Sequence, residues 1–448
     1  MKILSITAGA AGMYCGSCLR DNALAIELMA RGHDVTLIPV YTPTLTDDQN
    51  VSRRNVLFGG ISVYLQQHAS IFRKLPRIFD RIWDSPLLID AFAGRGVSAD
   101  ARFLGEMTIS MLQGESGVLR KEFEKLVDWT KDEPVPDVIN LPNSLLISMA
   151  APLKRALNRP VFVTLQGEEL FIDGLVAPYR ERALDLIRRQ VRSVDGFIAV
   201  SDYCARFMTS FLELPANRVS VVPLGISMDG YARREPEPGG GTHVGATPYR
   251  VGYLARVAPE KGLRLLAEAY VRLRQRMGGA PATLDVAGYM APDQRAYLES
   301  AREVLVKAGL QDEMTYRGEI DRAGKRTFLQ RLDVLSVPAT YDEPKGMFLL
   351  EAMASGVPVV QPRRGAFIEV VERTGGGILV DPDNPDALAD GLHTLWADAA
   401  LRDRLGRAAF EGVRSHYTIA HSADRLLAAY ESLARDASSV PVASKGVA

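Results

Sequence analysis

Short apolar runs alternate with amphipathic segments along most of this chain. In the first half the apolar runs predict strands at Lys2–Thr7, Asp34–Val40, Asp137–Asn140, Val161–Gln166, Gly196–Val200 and Arg218–Pro223. In the second half they predict strands at Arg250–Leu254, Thr283–Ala287, Met314–Tyr316, Val334–Val337, Val357–Gln361 and Gly377–Val380, with helices such as Gly262–Arg276 and Asp293–Ala308 between them. Strands that alternate with helices favour parallel sheets. The pattern therefore predicts an α/β protein with two Rossmann-like halves.

A stretch rich in Pro, Gly and charge, RREPEPGGGTHVGAT at Arg233–Thr247, separates the two halves. Such a stretch has little to bury, which is typical of a linker. We therefore predict a first domain at 1–230, a linker at 231–248, a second domain at 249–415, a closing helix at 416–434 and a disordered tail at 435–448. Residues 41–130 do not follow the alternation, and we interpret them as an insertion that covers a site.

The composition limits the class of protein. With 448 residues the chain exceeds one ordinary core, and its formal net charge of −1 argues against a general nucleic-acid binder. It contains no run of about 20 apolar residues that would span a bilayer. The start, MKILSIT, enters a strand directly and does not resemble a signal peptide, and three cysteines cannot form a disulfide framework. We therefore expect a cytoplasmic protein.

The segment Glu343–Val360, EPKGMFLLEAMASGVPVV, carries the most informative chemistry of the chain. Its two carboxylates, Glu343 and Glu351, lie eight positions apart with Gly346 between them, after a predicted strand. A glycine turn that leads from a strand into a helix presents backbone N–H groups and a positive dipole end, which suit a phosphate. The flanking carboxylates can accept hydrogen bonds from sugar hydroxyls. The structural alternative is that Glu343 caps the helix and Glu351 is a solvated helix residue.

A second constellation lies at Tyr253–Gly262, YLARVAPEKG. Arg256 and Lys261, five positions apart after a predicted strand, can together grip a diphosphate. The alternative is a surface ion pair with Glu260. Ligands of open α/β sheets bind beyond the carboxyl ends of strands, and both this loop and the Glu343 loop lie at such ends in one predicted domain. Their combination favours a nucleotide-activated sugar as the ligand.

The first strand is followed by a glycine-containing loop, AGAAGMYCGSC, in which Gly12 permits close approach of a ligand. The spacing differs from the G-x-G-x-x-G fingerprint, so the loop is a weak signal by itself. Cys15 and Cys18 could bind a metal, but structural zinc normally needs four ligands. We interpret them as packed thiols and predict no metal site.

Two further segments carry polar or charged residues. In VTLQGEELF, a predicted strand ends at Gln166 and Glu168 lies just beyond it. Both are candidate contacts to a sugar or an acceptor; the alternative is a polar turn. The segment Ile71–Trp83 mixes cations with aromatic residues and is interpreted as a lid element packed on its own domain, with contact to anionic lipid as the alternative.

Together these segments resemble the GT-B retaining glycosyltransferases, most closely glycosyltransferase family 4 (group 1), with bacterial glycogen synthases as more distant relatives. The resemblance covers nearly the whole chain, from MKILSIT and PDVINLPNSLL to LARVAPEKG and HYTIAHSADRLLAAY. It implies a GT-B fold, in which two Rossmann-like parallel-sheet domains face a central cleft. The implied reaction moves a hexose from a nucleoside-diphosphate sugar to a hydroxyl acceptor, with retention, without a metal and by a front-face mechanism, in carbohydrate biosynthesis.

The resemblance also implies residue roles. Arg256 and Lys261 would hold the donor diphosphate and Glu343 would contact the donor sugar, which makes these three the predicted catalytic residues. The predicted donor-binding residues are Glu351, on the ribose hydroxyls, and Gly12, Gly346, Met347, Phe348 and Leu349. The chain departs from the family pattern at Gln166, where many relatives have His, and at Lys345, where they often have an aromatic residue.

The predicted partners are small molecules. The donor is a nucleoside-diphosphate sugar whose nucleotide, UDP, GDP or ADP, stays open, and the acceptor is a carbohydrate or is lipid-linked and bound by the first domain. No cofactor and no nucleic acid are expected, and membrane contact is peripheral at most. Two alternatives stay open: an enzyme that does not transfer the sugar, such as an epimerase, and a sugar-nucleotide-binding protein with weakened catalysis.

Overall fold

The computed structural model describes residues 1–9, 15–58, 101–233 and 248–439, with side chains as far as Leu433 in the last range. It contains two compact units: one comprises Met1–Pro223 and Ser422–Ala448, and the other Leu224–His421. The units divide after Pro223, earlier than the linker predicted at 231–248. Gly12, the segment Ile71–Trp83 and most of that linker lie outside the described residues.

The first unit contains a parallel six-stranded sheet. Its strands are β1 (Lys2–Thr7), β2 (Asp34–Pro39), β3 (Val138–Leu141), β4 (Val161–Leu165), β5 (Gly196–Ala199) and β6 (Val219–Val221), in the order β2-β1-β3-β4-β5-β6. Its described helices are α1 (Gly16–Ala30), α2 (Ala101–Gln113), α3 (Arg120–Thr130), α4 (Ala150–Leu157), α5 (Glu169–Asp173), α6 (Tyr179–Gln190) and α7 (Asp202–Phe211). Every residue of β3, β4 and β5 is buried, as expected for parallel strands that are covered on both faces.

The second unit contains another parallel six-stranded sheet. Its strands are β7 (Tyr249–Leu254), β8 (Ala282–Ala287), β9 (Met314–Tyr316), β10 (Val334–Leu335), β11 (Val359–Pro362) and β12 (Gly377–Val380), in the order β12-β11-β10-β7-β8-β9. Its helices are α8 (Leu263–Arg276), α9 (Arg295–Lys307), α10 (Arg322–Gln330), α11 (Met347–Ala354), α12 (Phe367–Thr374), α13 (Pro385–Ala397) and α14 (Ala399–His416). The strand order reverses between β7 and β10, and such a switch point is where open α/β sheets bind ligands.

The last helix, α15 (Ile419–Ser439), packs on the first unit from Ser422 onward. The Ser422 hydroxyl donates to the Pro223 carbonyl at 2.6 Å, and the Tyr430 ring lies 4.8 Å from the ring of Phe162 in β4. The helix continues to Ser439, beyond its predicted end at 434, so the beginning of the predicted disordered tail is helical. Among the described residues, no helix is long and apolar enough to cross a membrane.

The two predicted α/β halves are confirmed, and the predicted strands differ from the observed ones mainly at their ends. The strand predicted at Val334–Val337 ends at Leu335, because the Ala339 N–H donates to the Val337 carbonyl at 2.8 Å and turns the chain. The next strand begins at Val359 and not at Val357, because Pro358 lacks the N–H that a ladder needs. The described part of the predicted insertion at 41–130 includes α2 and α3.

Gly288, directly after β8, lets two neighbouring strand ends approach closely. Its φ is +141°, and a Cβ there would lie 1.9 Å from the Ala255 carbonyl oxygen, which follows β7. Its N–H donates to the Gly318 carbonyl at 2.8 Å. A side chain would therefore both strain the backbone and separate the loops that follow β7 and β8.

We predict that Gly288→Ala lowers the free energy of unfolding by about 2 kcal/mol or more, since it adds a backbone clash to an unfavourable φ. Gly309→Ala is the matched control, because Gly309 has a φ of +71° with no atom within 4 Å of its Cβ position. It should cost only about 1 kcal/mol. Urea unfolding of both variants tests this, and equal losses would contradict the proposed close approach.

Candidate active site

The loop after β7 brings Lys261 to the switch point of the second sheet. The chain passes through a short 3-10 turn, Pro259–Lys261, and enters α8 after Gly262, whose φ is +73°. A Cβ on Gly262 would lie 1.9 Å from the Pro338 carbonyl oxygen, so only glycine lets this turn pack against the loop that follows β10.

The loop after β10 is tied to its neighbours by backbone hydrogen bonds. The Thr340 N–H donates to the Glu260 carbonyl at 2.9 Å, and the Ala366 N–H donates to the Glu343 carbonyl at 2.8 Å. These bonds join the loops that follow β7, β10 and β11. The carboxylate of Glu343 is thereby placed at the end of the sheet beside Lys261.

Lys261, Tyr341 and Glu343 form a closed, largely buried triad. The Lys261 ammonium forms an ion pair with Glu343 and donates to the Tyr341 hydroxyl at 2.8 Å, while that hydroxyl donates to the Glu343 carboxylate. The same ammonium lies 5.7 Å from the centre of the Phe348 ring. Glu343 is only 3% exposed, so its charge is stabilised mainly by these partners and not by water.

The surroundings of Glu343 keep it ionised. Burial by itself raises the pKa of this carboxyl, but the charge of Lys261, hydrogen bonds from Lys261 and Tyr341, and the charge of Lys345 together lower it. The Lys345 N–H also donates to the carboxylate at 3.3 Å. An ionised carboxylate with this pKa can accept hydrogen bonds from hydroxyls, but it is unsuited to donate a proton.

Arg256, the second predicted diphosphate ligand, pairs with a neighbour on its own loop. Its guanidinium donates to Glu260 at 2.9 Å, and its side chain is about half exposed. This is the surface ion pair that the sequence left open as an alternative. Because an exposed pair of this kind is weak, Arg256 can exchange Glu260 for another anion at low cost.

Helix α11 begins at the predicted phosphate turn. Gly346 precedes it with a φ of +75°, and Phe348 and Leu349 are buried in its first turn. Met347 opens the helix, and the Leu349 N–H donates to the Gly346 carbonyl at 2.9 Å. An α-helix start leaves backbone N–H groups without intrahelical acceptors and carries a positive partial charge, both of which favour an anion.

Glu351, further along α11, is held by a residue that sequence reasoning missed. Lys325, on α10, donates to its carboxylate at 2.6 Å, and both side chains are 13% exposed. The solvated-residue alternative therefore does not describe Glu351. Nothing in the local sequence marks Lys325, because its partner lies 26 positions away on another helix.

The two candidates in the first unit have mainly structural contacts. Glu168 accepts hydrogen bonds from the N–H groups of Ser144 and Gln166 at 2.9 and 2.8 Å, so its two oxygens join the loops after β3 and β4. The Gln166 amide donates to the Pro142 carbonyl at 2.9 Å, whereas its own carbonyl oxygen is buried without a described hydrogen-bond partner. One N–H of this amide and its carbonyl oxygen therefore have no described hydrogen-bond partner.

The cysteines are free thiols. Contact with Cys15 and burial raise the pKa of the Cys18 thiol, and Thr7 donates to its sulfur at 3.7 Å. Cys204 is buried as well. Among the described residues, no group of three or more His, Cys, Asp or Glu side chains is placed to hold a metal ion.

Two family models match the chain. The model described as "Glycosyl transferases group 1" matches residues 243–412, which include the Lys261–Glu343 triad, and "Glycosyltransferase Family 4" matches residues 112–229.

Several curated relatives are named as mannosyltransferases. The chain is 28% identical to a phosphatidyl-myo-inositol mannosyltransferase of Mycobacterium leprae over 317 residues, which cover 69% of this chain and 76% of that protein. It is 31% identical to the enzyme of that name from Mycobacterium tuberculosis over 265 residues. These residues cover 58% of this chain and 65% of that protein. It is 28% identical to a lipopolysaccharide core biosynthesis mannosyltransferase of Rhizobium leguminosarum, over 55% of this chain and 67% of that one.

Solved structures match over nearly the full length. A sucrose-phosphate synthase from Thermosynechococcus elongatus has a TM-score of 0.68 at 18% identity and covers 97% of this chain and 99% of its own. Anabaena HepE in complex with UDP and glucose has a TM-score of 0.63 at 18% identity, with coverages of 98% and 100%. These likenesses confirm the predicted fold, and with the family models and relatives they lead to one conclusion: the chain belongs to glycosyltransferase family 4 (group 1) and is a glycosyltransferase with the two-domain GT-B fold.

Proposed function

We propose that this glycosyltransferase moves a hexose from a nucleoside-diphosphate sugar to a hydroxyl acceptor with retention and without a metal ion. The observation that carries the proposal is the Lys261–Tyr341–Glu343 triad, next to the start of α11 at the switch point of the second sheet. One anion-binding element and one hydroxyl-accepting carboxylate lie side by side there. A sugar joined to a diphosphate carries both matching groups side by side: an anionic diphosphate for the anion-binding element and sugar hydroxyls for the carboxylate.

The diphosphate is the proposed ligand of the cations. Breaking the glycosidic bond places negative charge on the leaving phosphate, which preorganised donors stabilise. Lys261 supplies a point charge, Arg256 a bidentate fork and the start of α11 its backbone N–H groups. Binding requires Lys261 to share its charge between Glu343 and the phosphate, and Arg256 to leave Glu260.

Glu343 is the proposed acceptor of hydrogen bonds from the donor sugar. Its lowered pKa does not suit the general acid that a hydrolase carboxylate pair requires. Its burial against Lys261 and Tyr341 also argues against a nucleophile with free access to the anomeric carbon. A front-face reaction, in which the leaving phosphate takes the proton of the acceptor hydroxyl, needs neither role from Glu343.

Glu351 is the proposed ligand of the ribose hydroxyls, with Lys325 as the residue that positions its carboxylate. The pair is close to buried, at 13% exposure for each side chain, so a nucleotide would meet an already oriented carboxylate. We place the acceptor in the first unit, where Gln166, at the end of β4, has a buried carbonyl oxygen without a described hydrogen-bond partner.

The names of the relatives guide the choice of substrates. A relative 29% identical over 248 residues is named as GDP-mannose-dependent and acts on phosphatidylinositol monomannoside. We therefore propose a mannosyl donor first, with other hexoses next, and a lipid-linked or carbohydrate acceptor. The reaction is placed in the cytoplasm, with at most peripheral membrane contact.

Incubation with GDP-mannose, UDP-glucose and ADP-glucose, each with phosphatidylinositol and with simple sugars, tests the proposed reaction. We expect one donor to yield a glycoside whose anomeric configuration, read by NMR, equals that of the donor. EDTA should leave the rate unchanged. An inverted product would contradict retention. Epimerised sugar without a glycoside, or binding without turnover of any donor, would contradict transfer itself.

Glu343→Gln should lower kcat about a hundredfold or more, because it removes the charge that organises Lys261 and contacts the sugar. The Kd for the nucleoside diphosphate should change much less, since the cations remain. Steady-state kinetics and calorimetry measure the two effects. Glu299→Gln, at an exposed pair with Arg302, is the matched control and should leave both values unchanged. An unchanged kcat in Glu343→Gln would contradict the assignment.

Glu351→Ala should weaken nucleoside-diphosphate binding by roughly tenfold, because a charge-assisted hydrogen bond to the ribose is lost. Lys325→Met should weaken it too, since the carboxylate then loses the partner that orients it. Calorimetric titration with UDP and GDP compares both variants with the wild type. Equal affinity in Glu351→Ala and wild type would rule out the ribose assignment.

A further inference from the structure

One face of the second sheet is polar along β7, β8 and β9. On this face Arg250 of β7 lies beside Thr283 of β8, and Asp285 of β8 lies beside Thr315 of β9. The opposite face carries fully buried apolar residues such as Val251 and Leu284. Parallel strands are normally covered on both faces and read as continuous apolar runs, so an alternating pattern marks a face that solvent or a ligand reaches.

A groove of about 550 Å³ lies on this polar face. Helix α10 forms one wall through Gly324, Thr327 and Phe328. Leu332 lies close on the sheet, since a Cβ on Gly252 would be 2.1 Å from one of its methyl groups. The remaining lining residues are Arg250, Thr283, Asp285, Thr315, Arg317, Ile320 and Arg331. The groove thus combines an apolar base with hydroxyls and charges.

The charges of the groove leave an excess of two cations. Its lining contains three arginines and one carboxylate. Arg317 donates to Asp285 at 2.9 Å, so these two charges compensate each other. Arg250 donates weakly, at 3.4 Å, to the Arg331 carbonyl, and neither Arg250 nor Arg331 forms an ion pair with a described carboxylate. Two guanidinium groups are therefore available to an anion.

We propose that this groove binds a phosphorylated sugar, at a site separate from the donor site. Arg250 and Arg331 suit a phosphate, because guanidinium binds phosphate oxygens in a bidentate manner. The Thr283 and Thr327 hydroxyls donate to Asp285 at 3.2 Å and to the Ala323 carbonyl at 3.1 Å, and their oxygens can still accept hydrogen bonds from sugar hydroxyls. The volume lies in the range of small-molecule pockets. An extended acidic protein segment would use only part of such a bounded groove, so the small ligand is the better fit.

The groove is distinct from the site of the triad. Arg250 is the second residue of β7 and Thr283 the second residue of β8, whereas the triad follows the carboxyl ends of β7 and β10. The proposal therefore does not depend on the proposed function, and each can fail without the other.

Calorimetric titration of the full chain with glucose 6-phosphate tests the proposal, with glucose and inorganic phosphate as comparison probes. We expect saturable one-to-one binding of glucose 6-phosphate, none of glucose, and weaker binding of phosphate. Arg250→Gln and Arg331→Gln should each weaken binding by roughly tenfold. Arg302→Gln removes the same charge from an exposed helix pair and should have no effect. Saturating UDP and GDP, or the variant Lys261→Ala, should leave the binding in place.

Several results would overturn the proposal. They are the absence of saturable glucose 6-phosphate binding, an equal loss in Arg302→Gln, and displacement of the probe by UDP and GDP, which would locate it at the donor site. Inorganic phosphate that binds as tightly as glucose 6-phosphate would reduce the groove to a general anion site. Displacement by a polyglutamate peptide at lower concentration would assign the groove to an acidic protein partner.

Discussion

The buried carboxylate of Glu343 is the constraint on which the site of the second unit depends. An ionised carboxyl at 3% exposure is costly unless charges and hydrogen bonds replace its water. Lys261 arrives from the end of β7 and Tyr341 from the end of β10, and these strands are neighbours only because the strand order reverses there. The neutralisation of Glu343 therefore depends on the strand order of this sheet.

The same charge balance gives Lys345 a role that its sequence position did not reveal. A diphosphate that attracts Lys261 weakens the main counter-charge of Glu343. Lys345 keeps a second positive charge and a backbone N–H on the carboxylate, and Tyr341 keeps a hydroxyl on it. Glu343 can then stay ionised in the proposed complex, in which Lys261 binds the phosphate. A lysine at this position, where the family resemblance predicts an aromatic residue, is consistent with this division of charge.

Periodicity predicted the fold because most strands are apolar and buried, whereas the helices between them are amphipathic. It placed the ends of β10 and β11 wrongly, where a turn at Val337 and the proline at 358 act against the apolar run. Lys261 and Glu343 could be predicted because each follows a strand in a recognisable motif. The contacts of Tyr341 and Lys325 could not be predicted in this way. The Tyr341–Lys261 contact depends on which strands are neighbours, and the Lys325–Glu351 contact depends on how two helices face each other. Glu168 is a different case. Its position after a strand made it a candidate sugar contact, but both of its oxygens accept hydrogen bonds from backbone N–H groups.

Helix α10 contributes different side chains to the proposed donor site and to the proposed groove site. Lys325 reaches Glu351 on α11, whereas Thr327 and Phe328 line the groove. Thr327 lies two positions from Lys325 and points in nearly the opposite direction, whereas Phe328 lies three positions away and nearer to the Lys325 face. Asp321 caps its start by accepting from the Gly324 N–H at 2.7 Å, which fixes the first turn between the two sites. The groove and the proposed nucleotide site thus use different side chains of this helix.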